Sequence, residues 1–283
     1  AASDVYKRQA IILPFILLFM SSITDENTLV ANGYSFFPKK FSLASYSYII
    51  KSGGQILKAY GVSIGVTVVG TLLNVLLSAL MAYPLSVKNL PGRNVMMFFV
   101  FFTMLFNGGI VPSYIMWTGT FHIKDTIFAQ LLPNFLLSAW NVMMIRTYFT
   151  TSIPDGLYEA AEIDGASQFT IFWKIVLPLG KPILVTMGTF AGLAYWNDWT
   201  NGLYYIVKNT GLYNVQNLLN QMVQNIQFLT QSSNSNVTAA ASTIPATGIQ
   251  MAIAFVAILP IMLIFPSFQK YYAKGIALGA VKG

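Results

Sequence analysis

Cysteine is absent from this chain of 283 residues, and histidine occurs once, as His122. The lack of cysteine excludes disulfides, thiol catalysis and cysteine metal sites, and one histidine cannot form a histidine metal cluster. No phosphate loop of the GxxxxGKS or GxxxxGKT type occurs, so the chain cannot hydrolyse ATP by that route. The spacings of an HExxH zinc site and of a nucleophile elbow are also missing. These absences argue against an enzyme.

Charged residues are scarce as well, at 9% of the chain, whereas about a quarter of the residues are charged in a typical soluble domain. Hydrophobic residues reach 55%, and the mean hydropathy is +0.61. The net charge of +7 would suit nucleic-acid binding, but no basic run is longer than two residues. Loop charges that set membrane topology explain this charge better. The composition therefore predicts an all-α, polytopic transmembrane helical bundle without a nucleic-acid partner.

Long apolar runs predict about six membrane spans in a single domain over residues 1–283. The runs lie at 10–23, 60–85, 95–117, 127–148, 179–199 and 248–271. The first run has only 14 residues, whereas about 20 are needed to cross a bilayer. It is either part of a first span or the core of a signal peptide. Whether residues 1–9 are native stays open.

A polar segment at 152–178 separates two of these apolar runs. It holds four of the nine acidic residues of the chain: Asp155, Glu159, Glu162 and Asp164. Ser152 and Asp155 stand at the spacing of a capping box, which predicts a helix that begins at Ser152. Pro154 falls in the first turn, where its missing N–H costs little.

The remainder of this segment predicts two short helices joined by a bend. Leu157, Ala160 and Ala161 are expected to share the apolar face of the first helix, since they are three and four residues apart. Gly165 can adopt a left-handed conformation after that helix ends. The second helix is expected to end before Pro178. Its apolar residues are Phe169, Phe172, Trp173 and Val176.

Seven positions in the segment form a pattern of fixed spacing. They are Glu159, Ala160, Ala161, Gly165, Ile175, Leu177 and Pro178. This pattern resembles the EAA loop of binding-protein-dependent (type I) ATP-binding-cassette importer permeases, which in that family is a cytoplasmic coupling helix that docks into a cleft of the ATPase. We therefore call residues 152–178 the coupling segment. An ordinary amphipathic interfacial helix is the alternative interpretation.

The C-terminal residues also resemble this family, in particular the tail of its carbohydrate branch with LplC-like and maltose-type inner-membrane components. The similar stretches are Lys274-Gly275-Ile276 and 278–283. The resemblance implies a contact of the tail with the ATPase dimer through Gly279, Ala280, Val281, Lys282 and Gly283. A disordered end is the alternative.

The resemblance implies a transport subunit of the bacterial cytoplasmic membrane that forms half of a carbohydrate translocation pathway. Its expected partners are a second related permease, two ATPase subunits, an extracytoplasmic solute-binding protein, a sugar or oligosaccharide, and the lipid bilayer. ATP and Mg²⁺ bind the ATPase, so this chain is expected to carry no cofactor or metal. The alternatives are an importer of amino acids or phosphate, and an ATP-independent carrier or scaffold.

Two places are candidates for the substrate pathway. At the outer end of the fifth predicted span, aromatic rings stand beside polar groups that suit sugars: Trp196, Asn197, Asp198 and Trp199. An aromatic belt at the lipid headgroups is the competing explanation. Asn107, followed by two glycines, would interrupt the third span, and broken helices at membrane depth often line a cavity. A helix that simply ends early is the alternative.

The distribution of basic residues predicts the orientation. Ten lysines and arginines lie in parts assigned to the inside, and six lie in the longer parts assigned to the outside. Since positive charge is enriched in cytoplasmic loops, Glu159 is expected on the cytoplasmic side.

Overall fold

The computed structural model describes residues 2–51, 53–231 and 246–280, and every regular element within these ranges is a helix. One isolated bridge, between Thr24 and Phe41, joins two loops. The all-α fold class is therefore confirmed.

The helices follow one another along the chain as α1 (Ala2–Ser22), α2 (Glu26–Asn32), α3 (Ala44–Lys51), α4 (Gly53–Ser86), α5 (Arg93–Leu105), α6 (Ile110–Ile115), α7 (Phe128–Leu131), α8 (Ala139–Ser152), α9 (Asp155–Ile163), α10 (Gln168–Ile171), α11 (Leu177–Leu179), α12 (Lys181–Asn197), α13 (Thr200–Tyr205), α14 (Val215–Gln231) and α15 (Ala246–Ala280). Two π-helical turns occur at Met116–Thr120 and Phe172–Val176, and a 3₁₀ turn occurs at Thr210–Leu212.

Two helices in the described part of the chain are long and apolar enough to cross a membrane unbroken, at Gly54–Ser86 and Ala246–Leu263. Two further pairs would each form one bent span. The chain bends by 111° between the helices Arg93–Leu105 and Ile110–Thr120. It bends by 78° between Gln168–Leu179 and Lys181–Asn197. Helix length and composition thus identify up to four of the about six predicted spans.

The predicted interruption at Asn107 is present. α5 ends at Leu105, and Gly109 precedes α6 with a φ of 87°. The Asn107 Oδ1 atom accepts a hydrogen bond from the Gly109 N–H at 2.8 Å.

The predicted run 127–148 is not one continuous helix. α7 has only four residues, and α8 begins at Ala139. Pro133 has no N–H to continue α7, and Asn134 adopts a φ of 67°. The chain between α7 and α8 therefore leaves the helical conformation.

The chain forms two compact units. One contains the described residues of Ala1–Val62 and Tyr213–Ile264. Its core joins α3 and the start of α4 to α14 and α15: Ile49, Ala59, Val215, Leu218, Leu219, Ile249, Ala252, Ile253 and Ala257. Glu26 accepts hydrogen bonds from the N–H groups of Thr247 and Gly248, both at 2.8 Å, and thereby caps α15.

The other unit contains the described residues of Ser63–Leu212 and Phe265–Gly283. Within it α4 and α12 approach closely where small residues face the partner helix, as is common in membrane bundles. A Cβ on Gly192 would lie 3.3 Å from the Thr71 hydroxyl, and one on Gly70 would overlap the Tyr195 ring. These glycines therefore permit the close contact between α4 and α12.

Candidate functional site

The coupling segment begins differently from the predicted capping box. α8 continues through Ser152, and extended residues at Ile153 and Pro154 separate it from α9. The Leu157 N–H donates to the Pro154 carbonyl at 3.1 Å. Ser152 cannot cap α9 because it still belongs to the preceding helix, so this prediction is wrong. Asp155 lies in the first turn of α9, where the helix dipole favours a negative charge.

The buried face of α9 also differs from the prediction. Ala161 is buried and Tyr158 is partly buried, whereas Leu157 is 42% exposed and Ala160 is exposed. The face that packs is set by Tyr158 and Ala161, three residues apart, because these two contact the apolar core of the unit. Glu159 lies on the exposed surface.

Gly165 forms the predicted left-handed bend, with a φ of 74°. The Gly165 N–H donates to the Glu162 carbonyl at 3.0 Å, and the Ala166 N–H donates to the Ala161 carbonyl at 2.9 Å. This pair of bonds is a Schellman motif, which satisfies the last carbonyls of a helix. The bend at Gly165 therefore fixes the orientation of α9 relative to α10.

The second helical part is longer than predicted. Ser167 caps α10 by accepting from the Thr170 N–H at 3.3 Å, and the helix continues through a π turn into α11. It does not end before Pro178, because Pro178 stands in the first turn of α11, where a missing N–H is tolerated. The bend comes instead at Gly180, where a Cβ would lie 2.6 Å from the Phe149 ring.

The seven EAA-like positions divide between the surface and the core. Ala161 is buried and Ile175 and Leu177 are partly buried, whereas the others are exposed: Glu159, Ala160, Gly165 and Pro178. Large apolar side chains are exposed beside the acidic ones, with Ile163 at 86% and Phe169 at 68%. An exposed apolar patch with a charged edge is typical of a protein-docking surface.

Residues 61–278 match the family of binding-protein-dependent transport system inner membrane components. The chain belongs to this family. It is therefore a membrane permease that works with other subunits of an ATP-binding-cassette importer, and in such importers the ATPase is a separate subunit.

Two curated relatives and one solved structure are similar to this permease over nearly its whole length. Protein LplC of Bacillus subtilis is 36% identical over 96% of this chain and 90% of its own. The polygalacturonan/rhamnogalacturonan transport system permease protein YtcP of the same species is 37% identical over 96% of this chain and 93% of its own. A crystal structure of a bacterial ABC transporter involved in the import of the acidic polysaccharide alginate superposes with a TM-score of 0.79 at 26% identity, covering 96% of this chain and 94% of that one.

The residues predicted for the substrate pathway lie at two places where helices end, after α5 and at the junction of α12 and α13. Trp196 and Asp198 are buried, and Asn197 and Trp199 are exposed. One Asp198 oxygen accepts from the Thr200 N–H at 3.0 Å, the Thr200 hydroxyl at 2.7 Å and the Asn201 N–H at 3.3 Å. This side chain thus caps α13. Exposed Asn107 lies after the end of α5, and the substrate role of these residues stays a prediction.

Three side chains bind the backbone from the end of α7 to the start of α8, a role that the sequence did not predict. Tyr195 donates to the Leu131 carbonyl at 2.9 Å, Asn201 to the Pro133 carbonyl at 3.1 Å, and Asn74 to the Phe135 carbonyl at 2.6 Å. They satisfy alternate carbonyls that no helix satisfies. The available signal was a polar residue, Asn74, within a long apolar run.

The C-terminal residues predicted to contact the ATPase are only partly described. Gly279 and Ala280 are the last residues of α15. Val281, Lys282 and Gly283 lie outside the described residues.

Proposed function

We propose that this permease forms half of the translocation pathway of an ATP-driven carbohydrate importer and that its coupling segment docks on the ATPase at the cytoplasmic side. The observation that carries this proposal is the surface around the Gly165 bend. There, exposed acidic and apolar side chains stand on two short helices whose other faces are anchored in the core.

The geometry supports transmission of motion. The coupling segment joins α8 directly to α12, and its buried residues Ile171, Phe172 and Val176 share one core with Phe149 of α8 and Ile183 of α12. Close-packed cores shift as units rather than deform. A displacement of the docking surface by the ATPase would therefore move α8 and α12 together.

The proposed assembly contains this chain, a second related permease, two ATPase subunits and an extracytoplasmic solute-binding protein. ATP and Mg²⁺ would bind the ATPase subunits. The similarity to an alginate importer over 96% of this chain supports this assembly. The C-terminal tail is proposed as a second ATPase contact.

The proposed substrate is an oligosaccharide, and sugars that contain uronic acids are the first candidates. Alginate is named for the similar structure and polygalacturonan for the relative YtcP, and both polymers consist of uronic acids. Neutral sugars are the second candidate class, because AraQ of Bacillus subtilis, 26% identical, is named for arabinooligosaccharides. Amino acids and phosphate stay the non-sugar alternatives.

Uptake into proteoliposomes tests this function. The chain would be expressed with its genomic neighbours, and uptake of oligogalacturonides, arabino-oligosaccharides, an amino acid and phosphate would be compared with and without ATP. We expect ATP-dependent uptake of one sugar class, and its loss in Glu159→Lys at equal expression, because the reversed charge would oppose docking. Uptake without ATP, or uptake of a non-sugar alone, would contradict the proposal.

A further inference from the structure

Tyr83, near the end of α4, lies between this helix and the coupling segment. Its side chain is only 8% exposed. The Tyr83 ring stacks on Tyr158 of α9 with the centroids 6.5 Å apart, and it packs against Phe172 at 5.4 Å. α4 is not adjacent to the coupling segment in sequence, so these contacts attach the segment to a third long helix besides α8 and α12.

A chain of hydrogen bonds starts at the same tyrosine. The Tyr83 hydroxyl donates to Oε1 of Gln168 at 2.5 Å, and Nε2 of Gln168 donates to Oε1 of Glu162 at 2.8 Å. Gln168 is the first residue of α10, and Glu162 belongs to the last turn of α9. One hydroxyl of α4 is thereby linked to both helices that flank the Gly165 bend.

The donor and acceptor of each of these two hydrogen bonds are fixed by the chemistry of the side chains. The Glu162 carboxylate only accepts, so the Gln168 amide must turn its NH₂ group toward Glu162 and its oxygen toward Tyr83. The Tyr83 hydroxyl must then donate. Tyr158 packs beside it as a neutral phenol, since burial first, and then Tyr83 and Asp155, raise the pKa of Tyr158 to about 12.

A second link between the same parts is weaker. Lys88, in the turn after α4, forms an ion pair with Asp155 at the start of α9, but their side chains are 61% and 58% exposed. Exposed ion pairs are screened by water and salt and contribute little. Gln168 and Glu162 are exposed too, but the bond from Tyr83 to Gln168 is partly buried and starts from a ring in the core. This bond is therefore the better candidate for a specific mechanical link.

We propose that Tyr83 is a positioning residue for energy coupling: through Gln168 and Glu162 it holds α4 to the coupling segment, so that movement of the segment reaches α4 as well as α8 and α12. This inference rests on the proposed docking of the segment on an ATPase. It goes beyond that docking, because it assigns a role to a residue outside the EAA-like pattern.

Tyr83→Phe tests the proposal, since it removes the hydroxyl and keeps the ring in the core. The measurement is the amount of ATP hydrolysed per sugar imported by the complete transporter in proteoliposomes. Because one hydrogen bond shifts an equilibrium by roughly threefold to tenfold, we expect this ratio to rise by a factor of about that size, with the melting temperature of the complex nearly unchanged. Tyr148→Phe is the matched control, because Tyr148 packs on the same core but is outside the hydrogen-bond chain.

Gln168→Met provides an independent route, because Gln168 is exposed and its replacement does not disturb the core. We expect the same rise in the amount of ATP hydrolysed per sugar imported. The double variant should show no further rise, since either substitution already breaks the hydrogen-bonded link from Tyr83 to Glu162. A normal ratio in Tyr83→Phe or in Gln168→Met would overturn the proposal. If the wild-type complex imports sugar without ATP, it is the proposed function that fails, and the two failures are thereby distinguished.

Discussion

Asp125 is a single residue that joins two loops of the permease. Its Oδ1 atom accepts hydrogen bonds from the N–H groups of Val207 at 2.7 Å, Lys208 at 2.8 Å and Asn209 at 3.2 Å. Its own N–H donates to the Tyr205 carbonyl at 3.0 Å, and its φ is 57°. Aspartate and asparagine tolerate this left-handed conformation better than most residues.

We expect a pH-dependent stability contribution from Asp125. The backbone N–H groups of Lys208 and Val207, followed by Asn209 and the charge of Lys124, lower the pKa of the Asp125 carboxyl. A carboxylate with a lowered pKa stabilises the folded state above its unfolded pKa of about 3.9, and this contribution is lost as the pH falls through the folded pKa. Asp125→Asn should therefore lower the melting temperature by a constant amount between about pH 5 and 7, and by less in stronger acid.

Asp125→Ala is the companion variant for this measurement. It loses the acceptor as well as the charge and is strained at a positive φ, so its melting temperature should lie below that of Asp125→Asn throughout. A difference between wild type and Asp125→Asn that does not change with pH would contradict the role of the charge.

Asp198 shows what a residue pattern leaves undetermined. Its place among aromatic residues suggested a sugar contact, whereas its observed partners are the N–H groups of Thr200 and Asn201, two and three residues later. The spacing of Asp198 before Thr200 was a signal of this turn, because aspartate commonly binds backbone groups two residues on. The sequence alone could not decide which partner the carboxylate takes.

At the scale of the helix, Gly165 offers a sharp test of the coupling segment. Within the described part of the chain, the Cβ positions of Gly165 and Gly156 have no atom within 4 Å apart from their chain neighbours and local helix backbone, but only Gly165 has a positive φ. Gly165→Ala should therefore cost roughly 1 kcal/mol or more through backbone strain alone. Gly156→Ala, inside α9, should be neutral or stabilising by up to about 1 kcal/mol.

Two quantities are measured for this pair of glycine variants. One is the ATP hydrolysis rate that the ATPase subunits reach when assembled in the complete transporter, and the other is the melting temperature. Gly165→Ala should reduce the stimulated activity, because the orientation of α9 against α10 changes. Gly156→Ala should retain it. Equal activity in both variants would show that the bend does not position the docking surface.

The coupling segment also shows which features of an element can be predicted. Two short helices and a left-handed glycine between them follow from local signals, and both are present. Of the predicted buried face, Ala161 is covered, but Leu157 and Ala160 are exposed, because the contact of Tyr158 with Tyr83 decides which side of α9 is buried. That contact joins parts of the chain far apart in sequence.

The break between α7 and α8 has the same explanation. Local signals, Pro133 above all, allow a helix to stop there. The side chains that stabilise the broken backbone come from Asn74, Tyr195 and Asn201, between 61 and 68 residues away. No local pattern identifies such partners, so the sequence predicted an uninterrupted span.

At the scale of the whole molecule, composition predicted the all-α membrane class, and the family match confirms a permease. The number of spans was harder to predict, because apolar composition records burial or lipid contact but not the path of the chain. In the described residues, a bend of 111° divides the apolar run 95–117, and a bend of 78° separates the end of the coupling segment from α12. Glycines mark both bends, at Gly109 and Gly180.

The central claim is that this permease docks on an ATPase through its coupling segment, and co-purification tests it most directly. The tagged chain would be expressed with its genomic neighbours and isolated in detergent. We predict recovery of an ATPase and a second permease with the wild type, less ATPase with Glu159→Gln, and almost none with Glu159→Lys, since the charge of Glu159 is first removed and then reversed. A wild-type chain that purifies alone, or a Glu159→Lys variant that retains the ATPase fully, would contradict the claim.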